Sequence, residues 1–460
     1  MFKKVGINYF ILVIFFLCFS FQEISFAQNV NPGYSGETAL DSLKILDLKT
    51  AQKIAIKDNP SLAAAEERVR QARQQVIQAY SSYWPRIDAT GGGRRTIMSE
   101  NDYLLLGVAD DRSDTYTAGI SASWVLFNGF EREYSSLRAR YGEDGSKQAH
   151  LNVLRLLLLQ VASSYFNAQL ARENIIISQA NEEFNQRQLV EAEARNRVGT
   201  GSLSDVLNFR VRINSAKSQL IASRRAYQVA LYGLAALMGI PDSKMPPHLE
   251  LAELKNETTN ELLIPEPEAA VRYALENRPD LKQREYLLKQ ADAGVGSAWA
   301  GFYPTISITG SIDGDRLNSR ELEREDFGKS IMLNISYNIF SGGQTTARLK
   351  EAKSRKREAV KNLDDATISV KTEVESAITQ LKAAQEQLSL QRTNTKLVQE
   401  TRDLVEKEYA AGQGSLVRLN EAQLDLVTAQ STLALSLVSM RQAWESLRAS
   451  TGKILQTYLE

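Results

Sequence analysis

In four short segments of this chain, apolar and polar residues alternate. In the clearest one apolar side chains occupy every second position, with serine or asparagine at most of the positions between them. These apolar positions are Ile331, Leu333, Ile335, Tyr337 and Ile339. A period of two is typical of a β-strand with one apolar and one polar face. Comparable patterns predict strands at about 85–97, 115–128, 304–313 and 329–341.

Much longer segments follow the spacing of an α-helix. Residues 130–198 and 344–411 contain no proline, and apolar residues recur at intervals of three and four, as at Leu151, Leu154 and Leu158. A helix of that length spans roughly 100 Å, as in coiled coils rather than globular domains. Glycine-containing turns precede two further helical segments, 203–238 and 416–449. The pattern predicts two long antiparallel helical hairpins.

The chain contains two copies of one structural pattern. At an offset of 219 residues Pro60 matches Pro279, and after a variable stretch an offset of 213 residues aligns Gly199 with Gly412. Each copy predicts a helix, two strands and two long helices. We expect the repeats to span 48–240 and 269–455, joined by a proline-rich linker at 241–268 with little regular structure.

The predicted strands have the length required to cross a bilayer as tilted strands of a barrel, roughly 9 to 11 residues. An open sheet cannot exist in lipid, because each backbone donor and acceptor needs a partner. Four strands are too few to close a barrel, so a membrane-spanning chain of this kind must oligomerise. The alternative is a soluble α+β protein with a small sheet beside a helical bundle.

The N-terminus predicts an export signal. Lys3 and Lys4 precede an apolar run at 7–21 that is short for a membrane span, and Ser25 and Ala27 are suitably small for cleavage before residue 28. We therefore expect residues 1–27 to be a cleaved signal peptide. A retained anchor helix is the alternative.

Cys18, the only cysteine, raises the alternative of a lipid anchor. The residues before it are Phe15, Phe16 and Leu17, which are bulkier than a lipidation signal requires. Cleavage after Ala27 would leave a mature chain without a disulfide or a thiolate ligand.

Charge and composition favour no nucleic-acid or catalytic function. The 55 basic residues balance the 55 acidic ones, so the chain lacks the basic excess of a nucleic-acid-binding protein. His150 and His248 are too far apart to suggest a metal site or a catalytic triad. Gly91–Gly93 lies in a strand segment rather than a phosphate loop. We expect no enzyme activity, catalytic residue, metal or cofactor.

One acidic turn superficially suggests calcium. Asp313-Gly314-Asp315 resembles the start of a calcium loop, but Asn318 and Arg324 occupy the positions where such a loop needs glycine and glutamate. We therefore interpret it as part of an external loop.

Taken together, these motifs resemble the TolC-type outer-membrane efflux family from about residue 48 to 455. The resemblance rests on the NP and RPD helix starts, the aromatic-Pro corners, the LFNGF and IFSGG strand ends, and the VGTGSLSDVL and AGQGSLVRLN turns. It implies a mainly α protein in the outer membrane. A homotrimer would have a 12-stranded β-barrel in the lipid bilayer and a periplasmic α-barrel. It also implies partners: a periplasmic adaptor (membrane fusion) protein and an inner-membrane pump of RND or ABC type.

The hairpin turns are the candidate functional site. Turn geometry predicts left-handed backbone at Gly199 and Gly412. The resemblance adds a periplasmic gate or adaptor-docking tip formed by Ser204, Asp205, Tyr409, Arg418 and Glu421. Because Arg418 occupies a position where relatives often have an acidic residue, we expect a ring of mixed charge.

The expected function is that of a passive conduit in a tripartite efflux or type I secretion system. A periplasmic structural coiled-coil protein without channel activity is the alternative, and a general porin is disfavoured because the strands are too few. The sequence assigns no particular cargo.

Overall fold

The structure is a computed structural model that describes residues 43–99 and 112–459. The predicted signal peptide 1–27 and Cys18 lie outside the described residues. The helices are α1 (Leu48–Asp58), α2 (Pro60–Ser81), α3 (Glu131–Arg197), α4 (Leu203–Leu237), α5 (Pro267–Asn277), α6 (Pro279–Trp299), α7 (Gln344–Ala410), α8 (Leu416–Thr451) and α9 (Gln456–Leu459). The strands are β1 (Ile45–Leu46), β2 (Arg86–Ile97), β3 (Arg112–Asn128), β4 (Glu250–Leu251), β5 (Thr305–Leu317) and β6 (Phe327–Ser336).

The two long hairpins dominate the fold. Helices α3 and α7 each contain 67 residues, which corresponds to about 100 Å. Helices α4 and α8 contain 35 and 36 residues and return along them. None of the helices in the described part of the chain is long and apolar enough to cross a membrane. We call α3 with α4 the first hairpin and α7 with α8 the second hairpin.

The shorter helices begin as their sequence motifs predict. Pro60 occupies the first turn of α2, where its missing N–H is no loss, and the Asn59 side chain accepts hydrogen bonds from Ser61 and Leu62. Pro279 occupies the corresponding position in α6. Both repeats therefore start their second helix with proline, but only Asn59 caps its helix through the side chain.

The sheet has four strands in the order β2-β3-β5-β6, with every neighbouring pair antiparallel. Strands β2 and β6 form its outer edges, and neither outer edge has a strand partner in the described chain. The sheet is therefore an open one.

The two faces of this sheet have opposite chemistry. One face is apolar and consists mainly of Ile87, Ala89, Ile120, Ala122, Trp124, Ile306, Ile308, Ile312, Ile331, Leu333 and Ile335. The other is polar and includes Arg86, Asp88, Thr90, Thr117, Ser121, Ser123, Ser307, Thr309, Ser311, Ser330 and Asn334. Many apolar-face side chains are exposed, including Ile331 at 83%. This is the pattern of strands that separate lipid from water.

Aromatic residues bound the apolar face. Tyr116 and Trp124 lie on it in β3, eight residues apart, which corresponds to about 26 Å along the strand. Membrane barrels have an apolar band of about 25 Å between aromatic girdles. Strands tilted by about 45° would place these two rings about 19 Å apart across the membrane, so they enclose most of such a band.

Some strand boundaries differ from those predicted. Strand β6 ends at Ser336 rather than near 341, because its partner β5 begins at Thr305, opposite Ser336, and offers nothing further to pair with. Strand β5 continues to Leu317, four residues beyond the predicted end, and β3 begins at Arg112 rather than 115. Alternation alone does not show where a partner strand stops.

The linker at 241–268 contains short regular elements and is irregular over most of its length. Its residues Glu250–Leu251 form β4, which pairs in parallel with β1, and Thr259–Leu262 form a short 3-10 turn. Long side chains of both hairpins bind this segment: Arg172 donates to the Leu251 carbonyl oxygen at 2.6 Å, and Arg392 forms an ion pair with Glu257 at 2.7 Å. The linker is thus fixed across both hairpins.

Candidate functional site at the hairpin tips

The two hairpin turns have the same backbone structure. Gly199 and Gly412 have φ of 79° and 75°, the left-handed geometry that their sequence position predicts. In the first turn the Arg195 carbonyl oxygen accepts hydrogen bonds from the amides of residues 200 and 201, at 3.0 and 3.1 Å. In the second, the Glu408 carbonyl oxygen accepts from residues 413 and 414, at 2.9 and 3.1 Å. The repeat therefore extends to the atomic detail of the turns.

The second glycine of each turn is required for space. A Cβ on Gly201 would lie 2.8 Å from the Cβ of Arg195, and a Cβ on Gly414 would lie 3.0 Å from the backbone nitrogen of Tyr409. A Cβ on Gly412 would meet nothing within 4 Å. Within each turn, one glycine provides backbone geometry and the other allows close approach.

Tyr409 and Asp205 join the two hairpins at the tip. The Tyr409 hydroxyl donates a hydrogen bond to Oδ2 of Asp205 at 3.3 Å, and its ring packs edge-on against Phe209 with centroids 6.4 Å apart. Burial, together with the neighbouring Asp205 carboxylate, raises the pKa of Tyr409 to about 12. The hydroxyl therefore keeps its proton and remains a donor at physiological pH.

Arg195 is a contributor to the tip that the sequence analysis missed. Its guanidinium donates to the carbonyl oxygens of Tyr409 and Ala410, at 3.3 and 3.2 Å, and forms an ion pair with Glu191 at 2.8 Å. It also lies over the Tyr409 ring, 5.2 Å from the centroid. A cation at the end of α7 stabilises the helix dipole and the last free carbonyls. A basic residue in the last turn before a glycine is the sequence signal that could have identified it.

The remaining predicted residues have different surroundings. Arg418 is exposed and forms an ion pair with Glu408 in its own hairpin at 3.1 Å. Ser204 is exposed, and its amide donates to the Ser202 side chain at 3.0 Å, within the N-terminal cap of α4. Glu421 is exposed one turn along α8 from Arg418, and both line a shallow depression between α7 and α8. The structure thus brings together Asp205 and Tyr409 but not all five side chains.

Behind the tip, an apolar cluster and a few polar pairs connect the hairpins. The cluster contains Phe184, Ala192, Val206, Phe209, Val405, Tyr409, Leu419 and Ala422. Asn420 donates to Asn208 at 3.0 Å, and Gln423 donates to Asn181 at 3.0 Å. In the described part of the chain no cluster of three or more histidine, cysteine or acidic residues could hold a metal ion. The apolar cluster and the polar pairs thus hold the two hairpins together behind the tip.

A sheet with one lipid-compatible face, joined to helices of about 100 Å, defines a class of channel-forming membrane protein. The sequence profile described as "Outer membrane efflux protein" matches residues 52–240 and 270–453. The chain belongs to this outer membrane efflux protein family. Its members are channel proteins of the outer membrane, with a helical barrel that lies in the periplasm.

Individual relatives are similar to this chain over most of its length. The pyoverdine export outer membrane protein OpmQ of Pseudomonas aeruginosa is 25% identical over 412 residues, covering 88% of this chain and 84% of OpmQ. The cation efflux system protein CusC of Escherichia coli is 25% identical over 411 residues, covering 88% of this chain and 86% of CusC. A crystal structure of CusC has a TM-score of 0.75 and 22% identity, covering 88% of this chain and 91% of that one. The similarity therefore extends over most of the chain.

Proposed function

We propose that three copies of this chain form a passive export duct through the outer membrane. The observation that carries the proposal is the open four-stranded sheet, which has one apolar face and two edges without a strand partner in the described part of the chain. In lipid such edges need partners, and three sheets of four strands provide the 12 strands of a closed barrel. The polar face would then line a water-filled interior.

The hairpin tips are the proposed periplasmic entrance of this duct. Tyr409 and Asp205 connect the two hairpins where they end, so separating them would widen the passage. In a trimer the tip residues are repeated three times, and rings of charged side chains influence which ions pass. Arg418, Asp205 and Glu421 together make a ring of mixed charge. Ser204, Gly199 and Gly412 shape the surface offered to an adaptor.

The energy for export would come from partner proteins. We propose that a periplasmic adaptor docks on the tips and connects the duct to an inner-membrane pump of RND or ABC type, in a tripartite efflux or type I secretion system. OpmQ is named for pyoverdine export and CusC for cation efflux, so relatives that are similarly distant differ in cargo. The proposal names no cargo and assigns its selection to the pump, which supplies the energy for export.

Fractionation and conductance test the proposal together. The protein should remain in outer-membrane vesicles after carbonate washing and should migrate as a trimer in mild detergent. Purified protein in planar bilayers should give a small conductance that rises when Tyr409→Phe is combined with Asp205→Asn. A washed-off protein without conductance would instead support a periplasmic structural role.

A further inference from the structure

Three successive glycines occupy the middle of edge strand β2. Gly91, Gly92 and Gly93 lie at a point where glycine lowers strand stability. On the side towards β3, a Cβ on Gly93 would lie 3.3 Å from the Tyr116 ring. On its other side β2 has no strand partner in the described chain. The glycines therefore leave space at an unpaired edge.

The opposite edge of the sheet has the complementary shape. Ile331, Met332 and Leu333 are consecutive in β6 and are 83%, 59% and 61% exposed. Beyond the end of β6 the alternation continues without a strand partner in residues 43–99 and 112–459, and Tyr337 is 58% exposed. Edge strand β6 therefore has bulky side chains where edge strand β2 has glycines. It is also followed by two residues, Tyr337 and Asn338, that have no counterpart on β2.

We propose that β6 of one copy pairs with β2 of the next copy in one particular antiparallel register. This inference rests on the proposed trimer and specifies how its copies join. The defining pairs are Gly91 with Leu333, Gly92 with Met332 and Gly93 with Ile331. Each exposed bulky residue then lies opposite a glycine of the neighbouring copy.

The lengths of the two edges agree with this register. Arg86, the first residue of β2, faces Asn338, and Ile97, the last, faces Phe327, the first residue of β6. All 12 residues of β2 are thereby paired, and the two residues beyond Ser336 gain the partner that they lack in the single chain. The register also keeps the apolar face continuous, because Ile87 faces Tyr337 on the lipid side.

Barrel geometry narrows the choice further. Following the paired residues across the sheet of one chain leads from Arg86 in β2 to Met332 in β6. In the proposed register, Arg86 of the next copy pairs with Asn338, which lies six residues beyond Met332. Three copies add three offsets of six residues around the 12 strands. The strands are then tilted by about 45° from the barrel axis, at the upper end of the usual 35–45°. Two residues more would require about 54°, which is outside that range. Two residues fewer would give about 35°, but would place Lys329 opposite Gly93 and leave Tyr337 unpaired.

Cysteine pairs on the polar face provide the test. Thr90→Cys with Asn334→Cys occupies a facing pair in the proposed register. Thr90→Cys with Met332→Cys and Thr90→Cys with Ser336→Cys represent the two neighbouring registers. Directly opposite Cβ atoms are about 5 Å apart and diagonal ones about 7 Å, so only the facing pair suits a disulfide. Single-cysteine variants control for Cys18.

We expect mild oxidation to link copies at least tenfold faster through residues 90 and 334 than through either control pair. Trimers that link fastest through residue 332 or 336, or that link through none, would overturn the register and leave the trimer intact. Amine cross-linking of the wild-type protein that gives only monomers would instead overturn the proposed trimer. The two failures are therefore distinguishable.

Discussion

Asn59 and Arg278 perform the same task in the two repeats with different chemistry. Each precedes the proline that starts a helix, and each donates a hydrogen bond to a carbonyl oxygen at the end of a return helix. Asn59 binds Leu237 at 2.8 Å, and Arg278 binds Ser450 at 2.9 Å. The second repeat adds charge, because Arg278 also forms ion pairs with Asp280 at 2.7 Å and Glu373 at 2.6 Å.

Arg278→Ala should therefore destabilise the protein more than Asn59→Ala. Arg278 is 3% exposed, whereas its acidic partners Asp280 and Glu373 are 30% and 49% exposed, so its loss should cost about 2 kcal/mol, between the values for exposed and buried pairs. Loss of an asparagine cap costs about 1 kcal/mol. Thermal unfolding of the detergent-solubilised variants measures the difference. Equal losses would show that the ion pairs add nothing to the capping role.

The same cluster should make stability depend on pH. Burial alone would raise the pKa of Asp280, but the hydrogen bonds and charge of Arg278, with the charge of Arg155, lower it below its ordinary value. A lowered pKa in the folded state contributes stability above the ordinary range, near pH 4, and this contribution is lost as pH falls through the folded value. Unfolding measured between pH 7 and pH 3 should become easier at the acidic end. Asp280→Asn should flatten that dependence, and an unchanged slope would exclude this carboxyl as its source.

Backbone geometry at the tip predicts a contrast between two substitutions of Gly412. Its φ of 75° is strained for a β-branched residue, whereas asparagine tolerates it. We expect Gly412→Val to cost about 2 kcal/mol and to impair export, and Gly412→Asn to retain most activity. Export in a strain that lacks the native protein measures both, with protein levels in the outer membrane as a control. Normal export by Gly412→Val would contradict the assigned role of the turn.

The sequence predicted the elements that repeat one pattern over many residues. It did not predict features that depend on a partner strand or on a residue far away in the sequence. The 67 residues of α3 and α7 and the turn at Gly412 follow from spacing and glycine placement. The end of β6 does not, because Ile339 continues the alternation but has no strand partner among the described residues. Strand β4 is only two residues long, too short to show a period. Arg195 was missed for a related reason: its targets, the carbonyls of α7, are 214 residues away.

The contact between Tyr409 and Asp205 predicts how the tip responds to mutation and alkali. Tyr409→Phe removes one hydrogen bond, worth about 1 kcal/mol, and keeps the packing against Phe209. Its channel conductance should rise modestly, and Tyr232→Phe, at a residue of α4 that is 48% exposed, serves as a control that removes a hydroxyl elsewhere and leaves the bond in place. In the wild-type protein the raised pKa of Tyr409 means that the contribution of the protonated hydroxyl is complete below about pH 10 and is lost as pH rises through about 12. Wild-type conductance should therefore increase as pH rises towards about 12, whereas the conductance of Tyr409→Phe should not. An alkaline increase in Tyr409→Phe would exclude Tyr409 as its origin.

Adjacent residues of β5 give the sharpest test of which sheet face meets lipid. Ile312 lies on the apolar face opposite Ile120, midway between the levels of Tyr116 and Trp124, and its neighbour Ser311 lies on the polar face. An arginine on the lipid side near the membrane centre costs about 2–4 kcal/mol, whereas one that points into water costs little. Ile312→Arg should therefore reduce the amount of heat-resistant trimer in the outer membrane severalfold, and Ser311→Arg should leave it nearly unchanged. Because the two substitutions add the same side chain at consecutive positions, the reverse result would mean that the sheet faces lipid with its polar side.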